Sequence, residues 1–335
     1  MDLNTTLAAQ YGGNSNTGCV GYLPTPWLPY IQVARLSPPA GFFLIYLPHV
    51  FGVLHGAIAR QAPLEETARA AAITFAGSLF VSNAIHIWND LIDAPLDAQV
   101  ERTKNRPIPR GAVSPSVALL YTFSQTIGAL ALLPYVAPGY SIRETSIYAL
   151  PSIVGWMYHP WAKCHTNYPQ AVLGFCVAWG IVIGSLAMDV ELFTYDPFGH
   201  QNSAPAVDFA AVFLFLACIL WTMIYDITLG IYAHQDLQDD QKAEIKSIAV
   251  LYRDKTWVLL LDMSGLLTVY GIVGGMTLSY YVLSVGGSIV TLSLIVARAE
   301  LRSSESCWWW FGNGFWYAGG AITAGLLAEY AQVFL

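Results

Sequence analysis

Apolar residues in this chain run in blocks of about 17–25, the length a helix needs to cross the hydrocarbon of a bilayer. No other feature of the sequence restricts the fold as strongly. Nine blocks are read, near residues 40–58, 70–90, 114–136, 145–160, 168–188, 207–230, 256–275, 277–297 and 309–333. Backbone polar groups in lipid must find partners within the protein, so segments this long are expected to be helices. The expected fold is therefore all-α and integral to the membrane: about nine transmembrane helices around an apolar cavity, with polar loops capping one end. Composition agrees. Of 335 residues 55% are hydrophobic and 11% charged, and the mean hydropathy is +0.49, far from the profile of a soluble helical domain. A turn is needed at Gly274 and Gly275, which interrupt an otherwise continuous apolar run.

The basic residues suggest an orientation. With nine spans, one side of the membrane receives Arg35, Arg102, Lys104, Arg106, Arg110, Lys163, Lys242, Lys246, Arg253, Lys255, Arg298 and Arg302, and the other only Arg60, Arg69 and Arg143. By the positive-inside rule the rich side is cytosolic. Residues 1–30 are then a short cytosolic lead, and 31–335 a single transmembrane domain. The first 34 residues hold Asp2 but neither Arg nor Lys, unlike a secretory signal or an Arg-rich mitochondrial presequence. This favours an endomembrane location, ER or Golgi, over a mitochondrial one. Five cysteines, with neither CxxC nor Cys/His spacing, read as structural or incidental thiols. No basic stripe with interleaved aromatics supports nucleic-acid binding, and no obligate protein partner is indicated.

Two acidic segments carry the chemistry. The first is NAIHIWNDLIDAPLDAQVERTKNRPIPRGAVS, beginning at Asn83. Asn89, Asp93 and Asp97 are spaced by four, which stacks them on one face of a helix. Asp90 adds a carboxylate beside Asn89, and Pro95 is expected to disturb the helix where the span opens into its loop. Side-chain oxygens in a row are hard ligands suited to Mg²⁺, which completes its octahedron with water and phosphate. The cations that follow, Arg102, Lys104, Arg106 and Arg110, suit a ligand that is itself a polyanion. The second segment is YDITLGIYAHQDLQDDQKAEIKS, in which Asp236, Asp239 and Asp240 lie at i, i+3 and i+4, followed by Lys246. Asp226 lies farther up the same span, and an ionisable residue there points to function. Two such clusters facing each other would place two metal ions on one diphosphate. A third polar segment, YHPWAKCHTNYPQ, offers Lys163 as a cation and His159, His165 and Tyr168 as further polar groups.

A ligand with a polyanionic head and a long apolar tail fits loops of this kind above apolar spans. Prenyl diphosphates have both parts, and their C–O bond ionises once the departing charge is stabilised. Aromatic walls would shield the resulting allylic cation.

The run NDLIDAPLD at 89–97, continuing through RTKNRPIPRG, resembles the first motif of the UbiA-type intramembrane prenyltransferases, and YAHQDLQDD with Lys246–Ser247 resembles their second. HTNYPQAVLG at 165–174 and ARLSPPAGFF at 34–43 are most similar to the 4-hydroxybenzoate polyprenyltransferase branch and its fungal meroterpenoid relatives. That resemblance implies Mg²⁺-dependent transfer of a farnesyl or similar chain from its diphosphate to a ring carbon of a phenolic, often polyketide-derived, acceptor. By motif position, Asn89, Asp93 and Asp97 would hold one Mg²⁺, with Asp236 and Asp240 holding the second. Arg102, Arg106, Lys163 and Lys246 would contact diphosphate oxygens. Asp226 or a motif aspartate would take the proton released when the ring rearomatises. Three positions depart from the family pattern. His159-Pro160 with Lys163-Cys164 stands where Tyr-Pro and Lys-Arg are usual, five residues separate Asp226 from Tyr232 where fewer are usual, and Pro38 replaces a common cation. A membrane terpene cyclase of the same superfamily, or a transporter lined by its acids, stays open as an alternative.

Overall fold

A computed structural model describes residues 20, 22–37, 39–100, 103–192, 207–229, 246–252, 276–298 and 304–333. A short helix α1 (Leu28–Val33) precedes α2 (Ala40–Arg60), α3 (Leu64–Asp97), α4 (Pro115–Val136), α5 (Ile142–His165), α6 (Pro169–Leu186) and α7 (Phe209–Leu229). These are followed by a short α8 (Ile248–Tyr252), α9 (Leu278–Arg298) and α10 (Ser304–Gln332). Eight of the nine expected spans correspond to α2–α7, α9 and α10. The seventh, 256–275, lies outside the described residues, as do Gly274 and Gly275. Among the described residues six helices are long and apolar enough to cross a membrane: α2, α3, α4, α6, α7 and α9. The protein is an all-helical membrane protein.

Local chemistry sets the helix ends. Pro115 and Pro169 sit in first turns, where the missing N–H costs nothing. Ser141 accepts from the Glu144 N–H while Glu144 accepts from the Ser141 N–H, a reciprocal cap for α5. Gln61, in the left-handed region at φ 52°, closes α2. Pro95 does not end α3. The helix runs through it and stops two residues later, at Asp97, so the one ladder bond that proline removes is lost next to the helix end. Asn89, Asp93 and Asp97 therefore stay on one continuous helix.

Helices α2 and α6 cross at the centre, and glycine lets them touch. A Cβ on Gly52 would lie 2.1 Å from the Ile181 carbonyl oxygen, and one on Gly184 would lie 2.2 Å from that of His49. The Ser185 hydroxyl donates to the Gly52 carbonyl across the same contact. Around this crossing Phe51, Ile181, Trp221, Ile224, Phe315 and Leu326 are fully buried, joining α2, α6, α7 and α10 into one core. α3 packs on α2, and α4 packs on α3. At the α2–α3 turn, Tyr330 of α10 donates to the Ala62 carbonyl and receives a bond from Thr67. The bundle is thus fixed at one end, while α3 and α5 carry their acidic and basic residues to the other.

Candidate active site

Three acids of α3 are buried at that second end. Asp90 is 2%, Asp93 7% and Asp97 8% exposed. Buried carboxylates need partners, and each has them. The Asn89 side-chain amide donates to Asp93 Oδ2 at 2.9 Å, so the four-residue spacing brings the pair together. Lys163, in the last turn of α5, reaches Asp93 Oδ1 at 2.5 Å. Arg106 bridges two acids, at 2.8 Å from Asp97 and 3.3 Å from Asp90.

Arg106 is placed by the loop after α3. Ile108 and Val113 bury themselves with Val33, Ala34 and Ile87, folding the loop back over α1 and α3. The Thr103 hydroxyl donates to the Asp97 carbonyl, and Arg110 donates to the Gln32 side chain at 2.8 Å. Burial opposes the charge on Arg106, but Asp90 and Asp97 beside it hold the guanidinium above its ordinary value. Burial lowers Arg110 below its ordinary value.

Asp90 stands at the Asp97 edge of the Asn89–Asp93–Asp97 face, about 20° from Asp97 around the helix. It accepts from Arg35 at 2.6 Å as well as from Arg106. Arg35 sits at φ 52°, closing α1 in a position usually taken by glycine. Its N–H bonds to the Gln32 carbonyl and that of Leu36 to the Ile31 carbonyl. A left-handed arginine carries strain, and here its side chain anchors a buried carboxylate. In the sequence Arg35 stands out only as one of the charges on the basic side. A non-glycine at a helix C-terminus next to a proline-bearing segment was the available clue.

The remaining expected residues divide into three groups. Lys246 is exposed, and its backbone N–H bonds to the Lys163 carbonyl at 2.8 Å, which brings the chain following the second acidic segment to this end. Asp226 is hydrogen-bonded by Gln170 of α6. His159 packs edge-on to Trp156. His165 stacks instead on Tyr158, and Tyr168 bonds to Tyr252 at 3.2 Å, so both are occupied at the surface. Arg102, Asp236, Asp239 and Asp240 lie outside the described residues.

Below the charged end is a cavity of about 410 Å³ between α2, α3, α4, α5 and α6. On α3 its wall begins at Trp88, one residue before Asn89, and extends down to Thr74. Trp88 is held by a bond from its indole N–H to the Met157 carbonyl at 3.2 Å and by edge contact with Trp161. Trp156, Phe123 and Val177 add apolar wall, and His49 and Ser78 are polar exceptions. The His49 ring nitrogen Nδ1 lies 2.9 Å from the Ile45 carbonyl oxygen, and Ser78 lies 3.3 Å from it.

A helical membrane protein with a buried acid–base network directly above an apolar cavity is built to receive an amphiphile with a charged head. Residues 45–319 match the model of the UbiA prenyltransferase family, and the chain belongs to that family. It is 33% identical over 320 residues to the mitochondrial 4-hydroxybenzoate polyprenyltransferase of Saccharomyces cerevisiae, covering 93% of this chain and 77% of that one. It is 32% identical to the UbiA prenyltransferase claS of Ampulloclitocybe clavipes, covering 90% and 91%. In fold it is similar to a UbiA homologue of Aeropyrum pernix K1 solved in its apo form, with TM-score 0.66 and 19% identity over 85% of this chain and 97% of that one. It is also similar to an Archaeoglobus fulgidus homologue bound to DMAPP and Mg²⁺, with TM-score 0.62 and 16% identity over 91% and 98%. The chain is accordingly a prenyltransferase of the membrane.

Proposed function

We propose that residues 31–335 form one catalytic domain transferring a prenyl group, farnesyl or similar, from its diphosphate to a ring carbon of a phenolic acceptor in meroterpenoid or related secondary metabolism. The observation that carries this reading is the stacking of Asn89, Asp93 and Asp97 on one buried helix face, with Lys163 and Arg106 in contact, directly above an apolar cavity.

The donors fit Mg²⁺. They are hard oxygens from an amide and two carboxylates on one face. Among the described residues no three His, Cys, Asp or Glu side chains gather to hold a metal ion by themselves. An ion that prefers to keep water and phosphate in its shell is suited to so open a set. Asn89, Asp93 and Asp97 would hold one ion and Asp236 and Asp240 a second. When bound, Mg²⁺ supplies positive charge against the leaving diphosphate. Charge balance points the same way: Asp90, Asp93 and Asp97 are matched one for one by Arg35, Arg106 and Lys163. A diphosphate entering this neutral network needs countercharge from elsewhere.

The chain's own groups account for the rest. Arg102, Arg106, Lys163 and Lys246 bind diphosphate oxygens, and Lys163 and Arg106 move from carboxylate to phosphate partners as the head group enters. Because these cations are fixed before the C–O bond breaks, they stabilise the departing charge without reorganisation. The apolar wall excludes water from the allylic cation, and Trp88 presents a π face to it. The acceptor's ring carbon then attacks. Asp226, hydrogen-bonded by Gln170, or a motif aspartate would take the ring proton and restore aromaticity.

The experiment incubates membranes bearing the full chain with Mg²⁺, farnesyl diphosphate and a panel of phenolic acids, with products read by mass spectrometry. A prenylated phenol lost on chelation supports the reading. A cyclic hydrocarbon formed from farnesyl diphosphate alone would replace it with a terpene cyclase. We also propose that the acidic end faces the cytosol. Cys164 is exposed there while Cys176 and Cys218 are buried, so an impermeant maleimide should label Cys164 in sealed vesicles with the cytosolic face outward once Cys19 and Cys307 are serine. Labelling only after permeabilisation reverses the orientation.

A further inference from the structure

Gly77 lies in the middle of the 34-residue α3, where glycine is among the poorest residues for a helix. Helix–helix contact is the usual compensation, as at Gly52 and Gly184, but Gly77 has none: a Cβ built there meets nothing within 4 Å. It lines the apolar cavity together with Val81, Ala84 and Trp88, at i, i+4, i+7 and i+11 on one face. The space in front of Gly77 is therefore cavity.

Its depth can be compared with a prenyl chain. From Trp88 to Gly77 the helix advances about 16 Å, and about 21 Å to Thr74 at the far end of the wall. An extended isoprenoid advances about 5 Å per unit by ordinary covalent geometry. A chain whose diphosphate lies at the acidic end would thus bring its third unit to Gly77 and its fourth beyond it.

Building on the transferase reading above, we infer that Gly77 is a chain-length determinant, the missing side chain that keeps the far part of the cavity open to a fourth isoprene unit. Shorter chains end before it and do not sense it. A bulky residue there closes the passage, and the penalty grows with the number of units that must pass.

The test uses the full chain in nanodiscs with Mg²⁺ and one phenolic acceptor, measuring kcat/KM for geranyl, farnesyl and geranylgeranyl diphosphates. In Gly77→Leu the ratio of geranylgeranyl to geranyl turnover should fall by about tenfold or more, the scale of discrimination between apolar chains in a shaped cavity. Gly77→Ala should give a smaller fall in the same direction. Ala84→Leu, seven residues nearer the acidic end, should cut farnesyl as deeply as geranylgeranyl, and it serves if Gly77→Leu fails to fold. An unchanged length ratio in the folded Gly77 variants, or the same length pattern from both positions, would overturn the inference while leaving transfer intact. A wild-type chain that turns over none of the three would overturn the transferase reading and this inference with it.

Discussion

Both ends of the helix bundle carry charged residues, but they hold them differently. At the far end Asp189 and Asp208 are half-exposed and each ties a loop or a helix start, while the buried Glu329 accepts from the Thr277 N–H and hydroxyl. Asp189 and the Met188 carbonyl receive Arg60, while Asp208 receives His55 at 2.7 Å and the Ala211 N–H at 3.1 Å. Asp189 and Asp208 side chains are 42% and 29% exposed. At the near end the acids are almost fully buried, and one arginine serves two of them. Exposed pairs contribute little each, and water can replace them. A buried shared network is costly to assemble and costly to break. The far end therefore reads as fastening, and the near end as charge kept out of water for chemistry.

The sharpest way to break this comparison is to delete one acid at each end. Asp93→Ala removes a side chain bonded to both Asn89 and Lys163 and should lower product formation at least about 100-fold, the usual scale for losing a group that stabilises transition-state charge. Asp208→Ala should leave product formation within about twofold, since surface changes away from a site usually shift stability alone. Mass spectrometry of products under identical Mg²⁺ and substrate decides it. Full activity in Asp93→Ala would remove the functional distinction between the ends.

A smaller effect sharpens the account of the near end. Arg106→Lys keeps the charge but loses the planar fork that reaches Asp90 and Asp97 together. We expect kcat/KM to fall about tenfold and the thermal midpoint to drop, because one buried carboxylate is left poorly partnered. A variant equal to the wild type in both would show that a point charge suffices and that the bridging geometry is incidental.

The sequence made much of this legible, for physical reasons. Span length is imposed by bilayer thickness, so α2–α7, α9 and α10 stand close to where apolar blocks predict them. Four-residue spacing fixes a helical face regardless of context, so Asn89 and Asp93 could be paired on paper. Direction around the helix was harder. Asp90 is adjacent to Asn89, yet it faces Arg35 and Arg106, because neighbouring helical residues point about 100° apart. Arg35 comes from a separate element, α1, and its role depends on how the loop after α3 folds back, which no local pattern encodes. Pro95 marks the end of the span to within two residues, since α3 stops at Asp97. The cavity and the open face at Gly77 are properties of five packed helices and have no one-dimensional signature.

The smallest effect tests the far end. The hydrogen bond from His55 holds the Asp208 carboxyl below its ordinary value, aided by the N–H of Ala211. A carboxyl depressed by folding stabilises the native state above the unfolded pKa of about 3.9, and that contribution is lost as pH falls through the lower folded value. The loss should therefore occur below about pH 4, with no dependence from this group near neutrality. Asp208→Asn keeps an acceptor but cannot ionise, so its thermal midpoint should sit slightly below wild type at pH 6, by an amount corresponding to at most about 1 kcal/mol for a part-exposed pair. The two midpoints should converge as the pH approaches 3. Thermal unfolding in detergent across pH 3 to 6 measures this. Curves that stay parallel throughout would show that Asp208 stabilises the start of α7 as a hydrogen-bond acceptor alone, making the far end even less dependent on charge than the near one.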